Sequence, residues 1–587
     1  MEFQQIIKFN TVKEFLQFNA ARYETQNAFA LKKNKDIIYW TYGELQEKIN
    51  CIGTALLSRK LAGKNIAVIG KNSCEWCLAY LSVICGAGVV VPIDKELDGD
   101  TILEMLKFAS VKAVFADVKT VKKLKEAKKH LPRKLMIFLL DEEESEEFVT
   151  LDGLVAEGKE LIKNNFEDYF KSKPEPDDTA VIMFTSGTTA APKAVMLSNK
   201  NICSDIFSVS SCVAITDEDS THCVLPLHHA YQSIVFLTVL YNGGTVSCCE
   251  SLRHVSKNLQ LFKPTVFVTV PLMLEKMHKK ILEQLSKQSG IKRYLTTGKV
   301  SHFLNRFDFG DLKKHIYSII HDAFGGSLRM IIVGAAPLKS EVAADFESFG
   351  IPVVIGYGLT ECSPIAICNS LEERTVDSLG KPIDGAHVIL DSLDENGIGE
   401  ICINGPMVMK GYYKNKKATN EVIKNGWLKT GDLGYCDSNG NYHITGRLKN
   451  VIVTKGGKNV YPEEIEYYLN SDPMVLESLI FGDENDGDEE VVANVVPDEE
   501  AIKEKLHKEK LSVEDIQRSI SEVVRKINRR LPSYKNIKKI NIGKEELEKN
   551  RLQKIIRNSG KEKNPSEAEV DTQHEHTDDE SQNSGPS

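Results

Sequence analysis

FTSGTTAAPKAVMLSNKNI, Phe184 to Ile202, changes texture three times. AVIMF, ending at Phe184, is an unbroken apolar run of strand length. Hydroxyls and small residues follow as far as Pro192-Lys193; AVML (Ala194 to Leu197) reads as a second strand, and a helix is expected from Asn199 to Ser208. The loop between the strands suits a polyphosphate. Its backbone N–H groups, including that of Gly187, and the hydroxyls of Thr185, Ser186, Thr188 and Thr189 supply donors, while Lys193 supplies a point charge. A Walker loop would place its lysine and Ser/Thr directly at a helix start, and here a strand intervenes.

Working outward, the chain before this segment alternates helix and strand patterns. Thr41 with Glu44 three residues on opens a helix; NIAVIG (Asn65 to Gly70), VVVPID and AVFAD are strands. Behind it come TVFVTV (Thr265 to Val270), LRMIIVG (Leu328 to Gly334) and PVVIGYG (Pro352 to Gly358). Alternation of this kind predicts an α/β fold, a large layered domain of parallel sheet covered by helices, over residues 1–446. Near Gly446 the pattern shifts to short strands and helices from about Pro462 and Val513, which predicts a small mobile α+β lid domain over 447–560. Residues 561–587 hold eight acidic and two basic residues and no aromatic, so this acidic tail is expected to be disordered.

With 587 residues, 42% hydrophobic and 27% charged, the chain is ordinary globular material, and a net charge of -9 gives no basic excess for binding nucleic acid. Thirteen scattered cysteines, many in apolar runs (Cys85, Cys248, Cys402), fit reduced thiols in the cytoplasm. Cys74 and Cys77 have metal-type spacing, but they flank Glu75-Trp76 in a helical pattern with no second pair following, so they read as buried helix residues. MEFQQIIKFN lacks a secretory signal pattern. The apolar stretch Trp76 to Ile93 contains Ser82, Gly86, Gly88 and Pro92 and reads as a buried helix turning into a strand, not a transmembrane segment. The basic stretch Lys119 to Lys134 allows peripheral contact with the inner membrane face, although a solvated helix face is the plainer reading.

The loop at 185–193 resembles the phosphate loop of the adenylate-forming (acyl-activating) superfamily, with Ala190 and Ala194 where glycine is usual. GAAPL (Gly334 to Leu338), GYGLTECSP (Gly356 to Pro364), WLKTGDLGY (Trp427 to Tyr435) and GRLKNVIVTKGGKNVYPEEIE (Gly446 to Glu466) are similar to further family segments, in order. GVVVPIDKELD, LPLHHAYQS and KPTVFVTVPLMLEKMHKKI are similar to bacterial long-chain fatty acyl-CoA synthetases, and the resemblance covers about Thr11 to Asn558.

It implies an ATP-dependent ligase that forms an acyl-adenylate from a fatty acid and passes the acyl group to coenzyme A. Gly334, Ala335 and Gly358 would line the nucleotide site; Tyr357 would stack on adenine; Thr360, Glu361 and Thr188 would hold phosphate and Mg²⁺. Asp432 would take the ribose hydroxyls, assisted by Arg447. Lys554 in ELEKNRLQKIIRN is the implied catalytic lysine, preceded by Gln553 where glycine is usual, with Lys549 as the alternative. Lys449 is the implied hinge; Gly456, Gly457 and Lys458 would face coenzyme A; His229, Tyr231 and Gly356 would border the acyl pocket. Pro226 to Phe236 holds no acidic residue to meet an amino-acid ammonium, which favours an apolar acid. If Ala190, Ala194 or Ala335 must adopt a left-handed conformation, each costs about 1–2 kcal/mol. A non-catalytic binding homologue, and a ligase that acylates a carrier-protein thiol, are the alternatives.

Overall fold

The computed structural model describes residues 7–34, 36–127, 135–141, 145–185, 193–286, 318–454, 458–485, 488–549, 555, 557 and 569–571. The chain divides into two compact units. The first comprises Met1–Asp391, Ile401–Thr430 and Cys436–His443; the second comprises Ser392–Glu400, Gly431–Tyr435 and Ile444–Ser587.

Thr41 opens the helix Tyr42–Ser58 with a capping box: its hydroxyl accepts from the Glu44 N–H, and the Glu44 carboxylate accepts from the Thr41 N–H. Ser73 caps the helix Cys74–Ser82. That helix runs through the irregular turn Val83–Ala87, where Gly86 takes φ +124°, into the strand Gly88–Pro92. The apolar stretch is therefore a helix, a turn and a strand, as its glycines and proline imply. Among the described residues no helix is long and apolar enough to cross a membrane.

Two sheets form the first unit's framework. The eight-stranded sheet has the order 411–412, 193–198, 179–185, 88–92, 64–69, 113–116, 136–139, 149–150. The nine-stranded sheet has the order 381–382, 367–368, 353–357, 330–333, 266–269, 220–223, 245–248, 27–33, 36–41. Each is parallel through its middle, with antiparallel strands at an edge. Apolar side chains fix these layers. Val91, Val114 and Ile182 pack with Ile102, Leu106 and Leu124 of the helices Gly99–Phe108 and Val118–Glu126. Phe267, Ile331 and Val353 pack with Leu259, Phe324 and Phe346. Burial of each such side chain contributes roughly 1.5–3 kcal/mol against the entropy of ordering the chain.

The second unit carries the strands Val475–Asn485, Asp488–Pro497, Lys539–Ile542 and Glu569–Asp571 in one sheet. The helices Pro462–Asn470, Glu499–Leu506 and Val513–Asn528 cover it with Ile465, Leu469, Ile502, Ile520, Val523 and Val524. Residues 569–571 lie inside the tail expected to lack structure. They pair Glu569 with Asn541, Val570 with Ile540 and Asp571 with Lys539. The pairing is a backbone one and needs no apolar side chains, which is why composition did not announce it. The rest of 561–587 lies outside the described residues.

All thirteen cysteines are unpaired; Cys436 is exposed, and the others are buried or half-buried.

Candidate active site

The phosphate-loop segment begins and ends on paired strands. Thr179–Thr185 and Lys193–Ser198 run antiparallel with Thr185 opposite Lys193, and the Thr185 Oγ1 donates to the Lys193 carbonyl at 3.4 Å. Ser186, Gly187, Thr188, Thr189 and Ala190 lie outside the described residues. The helix after the second strand runs from Asn199 to Val213, five residues past the expected end, and stops at Ala214 in left-handed conformation with φ 47°.

The strand Lys193–Ser198 takes a further partner: Gly411 pairs with Met196 and Tyr412 with Val195. This pairing brings a tyrosine to the site that sequence reasoning missed. The Tyr412 hydroxyl donates to Glu361 Oε1 at 2.8 Å, and Lys193 Nζ lies 5.2 Å from the centre of the Tyr412 ring. Burial and then the Glu361 carboxylate push the Tyr412 phenol up, so it remains a donor at neutral pH. Three groups thus converge: a carboxylate, a phenol and a lysine beside the end of the loop.

Glu361 sits in the one-turn helix Thr360–Cys362, fixed from two sides. Its carbonyl accepts from the Met409 N–H at 2.9 Å, and Ser363 Oγ donates to the Met407 carbonyl at 2.7 Å. Behind the turn, Asp205 on the helix Asn199–Val213 accepts from the Ile365 N–H at 3.2 Å. Asp205 is fully buried, and desolvation pushes its carboxyl well above the usual carboxylate range, opposed by the hydrogen bond from the Ile365 N–H.

Gly334 follows the strand Met330–Val333, and Gly356 is the penultimate residue of the adjacent parallel strand Val353–Tyr357, both at the carboxyl ends where α/β sheets bind ligands. A Cβ on Gly334 would lie 3.1 Å from the Gly356 carbonyl and 3.2 Å from the Tyr231 ring, so Gly334, Gly356 and Tyr231 are neighbours. Tyr231 is anchored by its hydroxyl, which donates to the Ile332 carbonyl at 3.4 Å. His229 precedes the helix Ala230–Tyr241, its ring 4.2 Å from that of His228. Tyr357 is buried at its strand end. A Cβ on Gly358 would fall 1.9 Å from the Pro364 carbonyl, so only glycine lets the turn close.

Ala335 takes φ +73°, the strained case, and is exposed. Ala194 does not: it lies buried in the strand opposite Phe184. The two alanines should respond with opposite signs. Ala335→Gly relieves roughly 1–2 kcal/mol of strain, less roughly 0.4–1 kcal/mol for a freer unfolded chain, for a net gain of about 0.5–1 kcal/mol. Ala194→Gly should cost about 1 kcal/mol. Urea unfolding of the two variants beside the parent tests the contrast; a loss of stability in Ala335→Gly contradicts the strain argument.

In the second unit, Asp432 is buried and paired with Arg447, Nε to Oδ1 2.8 Å. Lys449 lies exposed in the short turn Leu448–Asn450. Lys458 pairs with Glu395. Gly456, Gly457 and Lys554 lie outside the described residues. Lys549, the alternative to Lys554, is held by Glu477 and Glu546, each at 2.7 Å, and its side chain is 17% exposed. An amine so committed is poorly placed to meet a nucleotide.

Comparison with known proteins gives the family. A family model described as AMP-binding enzyme matches residues 16–413, and one described as AMP-binding enzyme C-terminal domain matches 449–568. Long-chain-fatty-acid–CoA ligase 5 of Rattus norvegicus is 28% identical over 502 residues, covering 80% of this chain and 73% of that protein. Fatty acyl-CoA synthetase B of Dictyostelium discoideum is 28% identical over 481 residues, covering 77% and 71%. In fold, the chain is similar to O-succinylbenzoate coenzyme A synthetase of Bacillus subtilis in complex with ATP and magnesium ion, with TM-score 0.69 and 23% identity over 93% of this chain and 98% of that one.

Proposed function

The chain belongs to the AMP-binding enzyme family and within it to the AMP-forming acid–thiol ligases, and from that premise we propose that it joins a long-chain fatty acid to coenzyme A. The observation that carries the reading is the meeting of Glu361, Tyr412 and Lys193 beside the ends of the 186–192 loop. The acyl preference rests on the relatives' names and on the lack of an acidic residue from Pro226 to Phe236. The wording of the N-terminal segments favours the bacterial long-chain type, though the rat and Dictyostelium relatives are eukaryotic.

A carboxylic acid of pKa about 4–5 is ionised at pH 7, so the first step needs no general base. Its carboxylate oxygen attacks the α-phosphorus of ATP, the bond to the bridging oxygen breaks, and pyrophosphate leaves. The obstacle is repulsion between anions. Lys193, the loop hydroxyls and Lys554 lower it by setting positive charge and donors around the transferring phosphoryl group. Glu361 offers a hard oxygen ligand suited to Mg²⁺, oriented by the Tyr412 hydroxyl. Magnesium, when bound, would neutralise phosphate charge.

The product is a mixed anhydride. For the second step the small domain turns about Lys449, withdrawing Lys554 and presenting Gly456, Gly457 and Lys458 to coenzyme A. The thiol sulfur attacks the acyl carbon, its proton passes to solvent, and AMP leaves with the bonding pair. Asp432, steadied by Arg447, would hold the ribose through both steps. The expected assay result is acid-dependent pyrophosphate exchange with ATP, strongest for long-chain acids over short-chain and aromatic ones, then thioester on addition of coenzyme A. Exchange confined to aromatic or short acids would overturn the fatty-acid assignment; transfer only to a pantetheinylated carrier protein would overturn the acceptor.

A further inference from the structure

Cys74 and Cys77 lack a second cysteine pair in their own stretch of sequence, and two strands of the first unit supply one. Cys223 ends the strand Ser220–Cys223, Cys248 ends the strand Thr245–Cys248, and the two are register partners in this parallel pair. Side chains alternate along a strand, and one residue earlier the other face is occupied. There His222 Nδ1 lies 2.8 Å from Ser247 Oγ, and the His222 ring stacks on Phe262 with centres 5.0 Å apart. The face that holds Cys223 and Cys248 meets the helix Cys74–Ser82. The entry to that helix is held at the strand ends: Asn72 Nδ2 donates to the Leu225 carbonyl at 2.7 Å, and Asn72 Oδ1 accepts from the Leu227 N–H at 3.1 Å. Cys74 Sγ donates to the carbonyl of Ala30, the register partner of Ser247, at 3.8 Å. The Cys248 sulfur thereby comes within hydrogen-bond reach of the thiols of Cys223, Cys74 and Cys77. Among the described residues no three of these sulfurs lie mutually within 4.8 Å, so they form a star about Cys248 and not a shell for a metal ion.

We propose that Cys248 and Cys223 form a reversible oxidation site, at which a hydroperoxide oxidises Cys248 and Cys223 then closes a disulfide on it. Cys248 is half-buried while Cys74, Cys77 and Cys223 are buried, so an oxidant meets Cys248 first. The thiolate is the reactive form. Three S–H donors around one sulfur favour it at Cys248, first among them Cys223, and hold that thiol well below the ordinary range. The other three are pushed up, Cys74 and Cys77 by burial and then by Cys248, Cys223 by Cys248 and then by burial. The Cys248 sulfur takes the terminal oxygen of the hydroperoxide, the O–O bond breaks, and the alcohol leaves with a proton. Cys248 is now a sulfenic acid. The Cys223 sulfur gives up its proton and attacks the Cys248 sulfur, the S–O bond breaks, and water leaves. Two thiols are oxidised and one hydroperoxide is reduced to alcohol and water. Cys223 is the partner because neighbouring strands stand about 4.8 Å apart, inside the roughly 4.4–6.8 Å between Cα atoms that a disulfide spans. The site does not depend on the ligase reading.

The test treats the reduced native protein with cumene hydroperoxide, quenches in acid, blocks the remaining thiols with N-ethylmaleimide after denaturation, and maps the peptides by mass spectrometry. The expected product is a linked Cys223–Cys248 peptide pair, with the other cysteines alkylated apart from any oxidation of exposed Cys436, and dithiothreitol should return both thiols. Cys223→Ala removes the resolving thiol, so Cys248 should accumulate as a sulfenic acid trapped by dimedone. Cys248→Ala should lower oxidation at Cys223 about tenfold or more, since a buried, protonated thiol is inert. The unsubstituted protein decides the matter by itself if either variant fails to fold. Oxidation confined to Cys436, a bond from Cys248 to Cys74 or Cys77 in place of Cys223, or full alkylation of Cys248 after treatment overturns the inference.

Discussion

Replacing Lys554 with alanine is expected to lower acyl-adenylate formation by about 10²–10³-fold, the scale found when one preorganised donor to a transition-state oxyanion is removed. Thioester formation from supplied acyl-adenylate should persist, since thiol attack expels AMP and needs no further charge on the α-phosphate. The assignment follows the family resemblance, and the described neighbours of Lys554 in sequence are engaged elsewhere. Lys549 spends its amine on Glu477 and Glu546, and Arg557 spends its guanidinium on Glu463, Glu466 and the Ile480 carbonyl. Rapid-quench measurement of each half-reaction checks this, and adenylation at parental rate in the variant refutes the assignment.

Glu361→Gln should slow adenylation by a similar factor, about 10²-fold, and raise the Mg²⁺ concentration needed for half-maximal exchange. The amide keeps the shape and can still accept from the Tyr412 hydroxyl, so the turn Thr360–Cys362 should hold through Met409 and Ser363. What disappears is the formal charge that attracts a hard cation. Tyr412→Phe makes the useful comparison. It leaves the charge and removes one hydrogen bond worth about 1 kcal/mol, so roughly fivefold is expected. A magnesium titration of pyrophosphate exchange discriminates the roles: an unchanged midpoint in Glu361→Gln would show that the carboxylate holds something other than the metal.

The layered framework was legible because its signals are local. The capping box at Thr41 and Glu44 and the apolar runs of strand length each need only a few adjacent residues, and each lies where its pattern placed it. Candidate site positions could be named where a short segment carries its own chemistry, as at Gly334, Gly356 and Glu361, and the structure sets Gly334 and Gly356 side by side. It was not legible where distant strands create the contact. Tyr412 reaches Glu361 because Gly411–Tyr412 pairs with Val195–Met196, and no local pattern joins positions so far apart in sequence. Alanines show the same limit. Composition marks Ala194 and Ala335 alike, yet one rests in extended backbone and the other at φ +73°, a distinction set by the turn after the strand Met330–Val333.

Burial of nearly every thiol leaves Cys436 as a ready-made attachment point. It ends the strand Trp427–Cys436, eight residues before the chain enters the long final stretch of the second unit at Ile444. A bulky maleimide fluorophore, excluded from the interior, would mark that single place on the native enzyme without engineering. Its emission could then report whether the surroundings of that strand end change when ATP and an acid are added.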